Sequence, residues 1–218
     1  VQLLNFNLHA EASCSEDFLS NINSITRHFE HYHNKAYSDP TTLGIEVEFV
    51  VKRQISDAEM ASTIEQTLRH HYPDLKIERA YDSSAKALIV KYEKNGKVYE
   101  FALKRDLTIA PQNRNYRGLE LNSPILRDEE DLNVFSAVLY DLRKKRKIKS
   151  QTDSAGIHVH VGMPEAQLHE LAVILKSFVG IQDELLDKFK VNLSRQYYAA
   201  KFESNIYPKI DELVGVAT

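Results

Sequence analysis

The chain has 218 residues, 43% of them hydrophobic and 27% charged, which suits one well-buried globular domain with an appendage. A net charge of −3 gives no reason to expect a nucleic-acid partner, and no apolar run approaches the roughly 20 residues needed to span a bilayer. A single cysteine, Cys14, cannot form an intramolecular disulfide, so we expect a reducing, cytoplasmic location.

The first part of the chain divides at a break formed by Ser38, Asp39 and Pro40. Apolar residues spaced by three and four predict a helix over 15–35, so residues 1–39 are interpreted as an N-terminal helical extension. Residues 40–218 are then the main domain. It opens with a predicted strand over 43–53.

The middle of the chain predicts a helix, a hairpin and a further strand. Ser56 and Glu59 have the spacing of a capping box, which predicts a helix from there to about His71. Asn95-Gly96, between alternating segments 86–93 and 97–104, is the strongest hairpin signal in the sequence. A strand over 116–122 follows.

The last part of the chain predicts helices on either side of one more strand. A helix is predicted over about 128–147 and a strand over 157–162. Pro164 suits the first turn of a long helix that reaches about Phe189. Together, the elements predict an α+β fold with a mainly antiparallel sheet.

Polar side chains on three of these strands indicate a site. The segments are GIEVEF (44–49), GLELNSP (118–124) and GIHVHV (156–161). Residues two apart in a strand share a face, so Glu46 and Glu48 project together, as do His158 and His160. Each segment alone is more typical of a solvated strand face, but the combination, each with a glycine just ahead, favours a site.

Glutamates with histidines and no nearby cysteine suit Mg²⁺ or Mn²⁺ better than structural zinc. One of the two histidines can bind metal while the other contacts substrate or phosphate, and the spacing does not determine which histidine has which role. None of the 7 glycines forms a P-loop or a dinucleotide fingerprint, so ATP would be held by metal and side chains.

The ordered motifs of this chain resemble those of the amidoligase family. They are Gly-x-Glu-x-Glu-Phe, then Asp-x-Thr and Gly-x-Glu-x-x-Ser-Pro, then Gly-x-His-x-His-Val-Gly and Ser-Arg, over about residues 40–200. That family is related in fold to glutamine synthetase and glutamate–cysteine ligase. The resemblance implies a catalytic domain like that of glutamine synthetase, with helices packed on one face of the sheet. It also implies ATP- and Mg²⁺-dependent ligation of a carboxylate to an amine.

The resemblance also implies roles for individual residues. Glu46, Glu48, Glu120 and His158 correspond to metal ligands, His160 to a substrate or phosphate contact, and Arg195 to a nucleotide-phosphate contact. Glu48, His160 and Arg195 are therefore the candidate catalytic residues. Asp106 and Thr108 fall where the family has Asp-Gly-Ser, although Leu107 replaces the glycine.

Two lysine or arginine residues are further candidates for holding the nucleotide. Lys104 and Arg117 lie on strands beside the motif strands and would reach phosphate if they face the glutamates. The expected partners are small-molecule or peptide acids and amines, with no nucleic acid and no membrane.

Two other functions remain open at this point. The same Glu and His set suits a metal-dependent hydrolase, in which metal activates water. Family members often continue beyond the position of Thr218, so a truncated, non-catalytic module that binds nucleotide or metal is the second alternative.

Overall fold

The computed structural model describes residues 3–8, 42–149, 155–163, 167–188, 202 and 206–216. The strands in these ranges are β1 (Leu3–Leu8), β2 (Thr42–Lys52), β3 (Ile77–Asp82), β4 (Ala87–Lys94), β5 (Lys97–Arg105), β6 (Tyr116–Asn122) and β7 (Ile157–Gly162). The helices are α1 (Asp57–His71), α2 (Glu129–Arg146), α3 (Leu168–Lys188) and α4 (Ile206–Val216). The helix predicted over 15–35 lies outside the described residues.

The strands form one seven-stranded sheet in the order β1-β7-β2-β6-β5-β4-β3. Every neighbouring pair is antiparallel, which confirms the predicted α+β class. Strands β7, β2 and β6 carry the three motifs and lie side by side in the sheet. The fold therefore brings together segments that are far apart in the sequence.

Local signals explain several of the elements. Ser56 caps α1 by accepting a hydrogen bond from the Glu59 amide, and the Glu59 carboxylate accepts one from the Ser56 amide. Asn95 and Gly96 connect β4 to β5 with positive φ angles of 53° and 69°, as a two-residue type I′ hairpin requires. Both features confirm the predictions made from those residues.

The hydrophobic core lies between one face of the sheet and the helices α1 and α2. Alternate residues of the strands supply the sheet side, including Ile45, Phe49 and Phe101, while Ile64 and Phe135 come from the two helices. Each of these side chains is almost fully buried, and burial of such a side chain stabilises a fold by roughly 1.5–3 kcal/mol. The opposite face of β2 and β6 is thus free to carry polar side chains.

Some elements differ from the sequence predictions. Strands β1 and β3 and helix α4 were not predicted, and α3 begins at Leu168, later than the start predicted near Pro164. Gln167 precedes α3, and its amide donates to the Glu170 carboxylate at 2.7 Å. The domain boundary at residue 39 stays a prediction, although β1 joins the same sheet by pairing with β7. None of the described helices has the length and apolar character needed to cross a membrane.

Candidate functional site

The motif side chains lie on the sheet face opposite the helices, in two adjacent rows set by strand register. In the first row, Glu46 of β2 lies between His158 of β7 and Asn122 of β6. In the second row, Glu48 pairs with Glu120 of β6, and Glu120 pairs with Lys104 of β5. Four strands, β7, β2, β6 and β5, thus contribute to one patch.

Glu46 is held by three polar neighbours. Its Oε2 lies 3.1 Å from Nδ1 of His158, its Oε1 accepts a hydrogen bond from Asn122 at 2.8 Å, and Nε2 of His160 lies 3.4 Å from Oε1. The hydrogen bond with His158 is the main reason that the pKa of Glu46 falls to about 2, against the opposing effect of burial. The same bond raises the pKa of His158. Glu46 is therefore an ionised, firmly oriented carboxylate.

A second group of acidic side chains lies beside it. One oxygen from each of Glu48, Asp106 and Glu120 lies within 4.8 Å of the others, and we call these residues the carboxylate cluster. Glu48 and Glu120 are both buried, each with a residue exposure of 6%. Carboxylates repel one another at such distances, so this arrangement is costly unless a cation compensates it.

Glu48 shows the cost most directly. Burial raises its pKa, against the lowering effects of the His158 charge and the Gly156 backbone. Its Oε2 is buried and makes no hydrogen bond within the described structure. This oxygen is buried and accepts no hydrogen bond, and two more carboxylates lie next to it. Together they offer the oxygen ligands that a hard divalent cation prefers. The residues present therefore fit the Mg²⁺ or Mn²⁺ that the motifs predict.

Lys104 supplies positive charge at the edge of the cluster. Its Nζ lies 2.7 Å from Oε1 of Glu120. Burial lowers the pKa of Lys104, but the hydrogen bond to Glu120 and the charges of Glu120, Glu46 and Asp106 outweigh it and raise the pKa overall. The side chain of Lys104 is 36% exposed, so its ammonium also reaches the solvent side of the face.

The loop after β5 carries Asp106 to the cluster because β6 has a glycine where the loop crosses it. A Cβ on Gly118 would lie 2.5 Å from Cβ of Ile109 and 2.7 Å from the Asp106 carbonyl oxygen. Thr108 fixes the loop further, since its amide and hydroxyl both donate to Oδ1 of Asp106, at 2.7 and 2.6 Å. The Asp-x-Thr motif thus forms these hydrogen bonds with Leu107 at its central position.

Ser123, the serine of the second motif, has a structural role beside Glu46. Its hydroxyl accepts a hydrogen bond from the Ile45 amide at 2.8 Å, and its own amide donates to the Ile45 carbonyl at 2.7 Å. These bonds tie the end of β6 to β2. The register that places Glu46 next to Asn122 is fixed at this point.

The structure brings together most of the residues predicted for the site. They are Glu46, Glu48, Glu120, His158, His160 and Lys104. Arg117 is not among them, because it lies on the other face of β6, where it forms an ion pair with Asp57 at 2.6 Å and donates to the Ile55 carbonyl. Its role is to join β6 to the start of α1, which corrects its prediction as a nucleotide contact. Arg195 lies outside the described residues.

Two residues of the patch were not assigned a role from the sequence alone. Asn122 shares a face with Glu120 because it lies two positions further along β6, so strand alternation was a usable signal. Asp106 was identified only through its motif position. Its place in the carboxylate cluster depends on the loop that crosses Gly118, which has no such periodic signal.

Comparison with known proteins gives one family match. Residues 39–213 match a family model described as "Putative amidoligase enzyme". No curated protein matches the chain. The matched range includes all four strands that form the patch.

Proposed function

The chain belongs to this family of amidoligases, and from that premise we propose that it is an ATP- and Mg²⁺-dependent ligase that joins a carboxylate to an amine through an acyl phosphate. The carboxylate cluster is the observation that supports this most, since three carboxylates lie within 4.8 Å of one another. The sequence has no P-loop to hold phosphate. A metal held by side chains on the sheet is then the means by which ATP would bind.

The proposed ligands follow from the geometry of the patch. Glu48, Glu120 and Asp106 would hold a divalent cation, and Glu46 with His158 would provide further ligands beside them. The bound Mg²⁺ would supply charge neutralisation on the phosphate oxygens of ATP. Asp106 is an addition to the predicted ligand set, made because its oxygen lies among those of the cluster.

The first proposed step is phosphoryl transfer. An oxygen of the substrate carboxylate attacks the γ-phosphorus, the bond between that phosphorus and the ADP oxygen breaks, and an acyl phosphate forms. Lys104 lies on the same face and would contact the transferred group. Arg195 is proposed for the same task on the strength of its motif position. Both would stabilise the negative charge that spreads over the equatorial oxygens.

The second proposed step is attack by the amine. Its nitrogen bonds to the acyl carbon, the carbon–oxygen bond to phosphate breaks, and phosphate leaves while the nitrogen gives up a proton. Glu48 is our candidate base, through a carboxylate oxygen that the metal leaves free. His160 lies at the edge of the patch and would position the substrate or a phosphate.

The test is turnover with ATP, Mg²⁺ and a panel of amino acids and peptides, followed by ADP release and product mass. Hydroxylamine in place of the amine should trap the acyl phosphate as a hydroxamate. Glu120→Gln should lose ADP formation, whereas Glu100→Gln should retain it. Glu100 is an exposed residue of β5 that lies on the same face of the sheet as Glu120. Amide or ester hydrolysis that needs metal but not ATP would instead identify a metal-dependent hydrolase.

A further inference from the structure

Lys104 places a positive charge at the edge of the carboxylate cluster. Its Nζ pairs with Oε1 of Glu120 at 2.7 Å, and Glu120 is one of the three cluster members. The carboxylate side chain is 8% exposed and the lysine side chain 36%. The carboxylate is thus fixed in the sheet, while the ammonium is at the end of a flexible chain next to solvent.

The charges of this pair do not balance the cluster. The ammonium pairs with Glu120, while Glu48 and Asp106 are two further carboxylates of the cluster. Nε2 of His158 lies 3.8 Å from Oε1 of Glu48, but Oε2 of Glu48 makes no hydrogen bond within the described part of the chain. Lys104 holds one of the oxygens that a divalent cation would use.

We propose that Lys104 is a resident counter-ion of the carboxylate cluster, which a divalent metal displaces, and that the displaced ammonium then contacts the phosphate of the bound nucleotide. This inference rests on the proposed use of metal and ATP at the same face. Lysine and metal compete for the Glu120 oxygen, so removal of the lysine has opposite effects on the two ligands. Metal binding becomes tighter and nucleotide binding becomes weaker.

The opposite signs separate this role from a structural one. Loss of a residue that only supports the strand geometry would weaken both ligands, because the same strands position both. Loss of a competing charge next to an anionic ligand oxygen should tighten Mn²⁺ binding by about tenfold or more. It should also lower the thermal midpoint of the metal-free protein, since the repulsion within the cluster is no longer offset.

The experiment compares Lys104→Met with Lys91→Met. Lys91 lies on β4, on the same face of the sheet, and its register partner is Glu100 rather than a member of the cluster. Mn²⁺ affinity is measured with the metal alone by electron paramagnetic resonance, and ATP affinity is then measured by calorimetry at saturating Mn²⁺. We expect tighter Mn²⁺ binding and about tenfold weaker ATP binding for Lys104→Met. Lys91→Met and Lys104→Arg should behave like the wild type for Mn²⁺.

The other outcomes distinguish failure of the counter-ion role from failure of the proposed metal site. Unchanged or weaker Mn²⁺ binding in Lys104→Met, with normal binding in the wild type, overturns the counter-ion role and leaves the proposed function standing. No Mn²⁺ binding by the wild type overturns the proposed metal site and this inference with it. If Lys104→Met unfolds without metal, Mn²⁺ should restore its fold, and failure to do so also overturns the inference.

Discussion

Among the described residues, two clusters of covered ionisable side chains have their charges arranged differently. The first is the carboxylate cluster on the open face of the sheet. The second, which we call the Lys94 cluster, contains Lys94, Asp131, Glu130 and Tyr72 at the edge of the helical layer. There, the ammonium lies 2.8 Å from Glu130, 3.1 Å from the Tyr72 hydroxyl and 3.6 Å from Asp131.

The buried anion of the Lys94 cluster lies beside a positive charge. Asp131, whose side chain is 1% exposed, faces Lys94 and also accepts a hydrogen bond from the Arg127 amide at 2.9 Å. Oδ1 of Asp131 and Oε2 of Glu48 are both buried without a hydrogen bond to any described residue, but Asp131 lies 3.6 Å from the Lys94 ammonium, whereas Glu48 lies among two further carboxylates. The first arrangement is typical of a pair that stabilises a fold, and the second is typical of a binding site. The comparison predicts which substitutions affect stability and which affect ligands.

The largest expected effect on stability is that of Lys94→Met. Removal of the ammonium leaves the buried Asp131 carboxylate without its counter-charge, which should lower the free energy of unfolding by about 3 kcal/mol. Chemical denaturation measures this loss, and Mn²⁺ affinity serves as the control because it should not change. A loss below about 0.5 kcal/mol, the size typical of exposed ion pairs, would contradict the contrast between the two clusters.

Gly118→Ala should disturb the carboxylate cluster without altering any of its carboxylates. The new methyl group would lie 2.5 Å from Cβ of Ile109, so the loop that carries Asp106 must move. We expect a loss of about 2 kcal/mol in stability, as for other overpacked sites, together with weaker Mn²⁺ binding. Gly44→Ala is the matched control, because the nearest atom, Cβ of His160, lies 3.6 Å away. Equal effects of the two substitutions would count against the role of the loop.

Glu48→Gln should have the opposite effect on stability from Lys94→Met. It removes a charge that burial and the charges of Asp106 and Glu120 disfavour. The metal-free protein should therefore gain at least about 1 kcal/mol, the size of one like-charge contact at about 4 Å in water. The raised pKa of Glu48 means that its destabilising charge is present above that pKa and absent below it. The gain should therefore be larger at pH 8 than at pH 5, and Mn²⁺ binding should be lost. Thermal melts in chelator at the two pH values test this.

The smallest expected effect is the alkaline part of the pH dependence of the Glu46–His158 pair. The pKa of Glu46 falls from 4.5 to about 2, so its stabilisation is complete above pH 4.5 and is lost as pH falls towards 2. The pKa of His158 is raised above 6.5, so its stabilisation is complete below pH 6.5 and is lost as pH rises through the raised value. The pair thus stabilises the metal-free protein most between these limits.

His158→Gln should remove the alkaline part of this dependence. In chelator, the wild-type thermal midpoint should fall by a few degrees from pH 6 to pH 9 relative to that of the variant. Parallel curves for the two proteins would show that the His158 charge does not contribute to stability.

The sequence predicts local features of this fold well because their causes are local. Asn95 and Gly96 define the hairpin through their own backbone preferences, and the Ser56–Glu59 box starts α1 through bonds within four residues. Strand β3 has no such signal. It lies at the edge of the sheet with its four central residues exposed, so burial imposes no apolar alternation on its sequence.

The sequence predicts which side chains of the site share a strand face, but it does not predict the register between the strands. Alternation along β2 and β7 places Glu46 with Glu48 and His158 with His160, and the same rule puts Arg117 and Glu120 on opposite faces. That rule was sufficient to exclude Arg117 from the site. Which residues lie opposite one another on neighbouring strands depends on pairing between distant segments, and single-sequence periodicity does not contain that information.

The distances along the chain between the site residues have a consequence for folding. Glu46 and Asn122 are 76 residues apart in sequence, and Glu46 and His158 are 112 apart. Contacts of such separation form slowly, because the entropy of closing long loops is lost before the contacts are gained. The β4–β5 hairpin can form early, whereas Glu48 and Glu120 meet only after β6 has joined β2, and His158 comes beside them only after β7 has joined β2. Metal binding should therefore follow the last pairing of these strands during folding, so that Mn²⁺ slows unfolding more than it speeds folding.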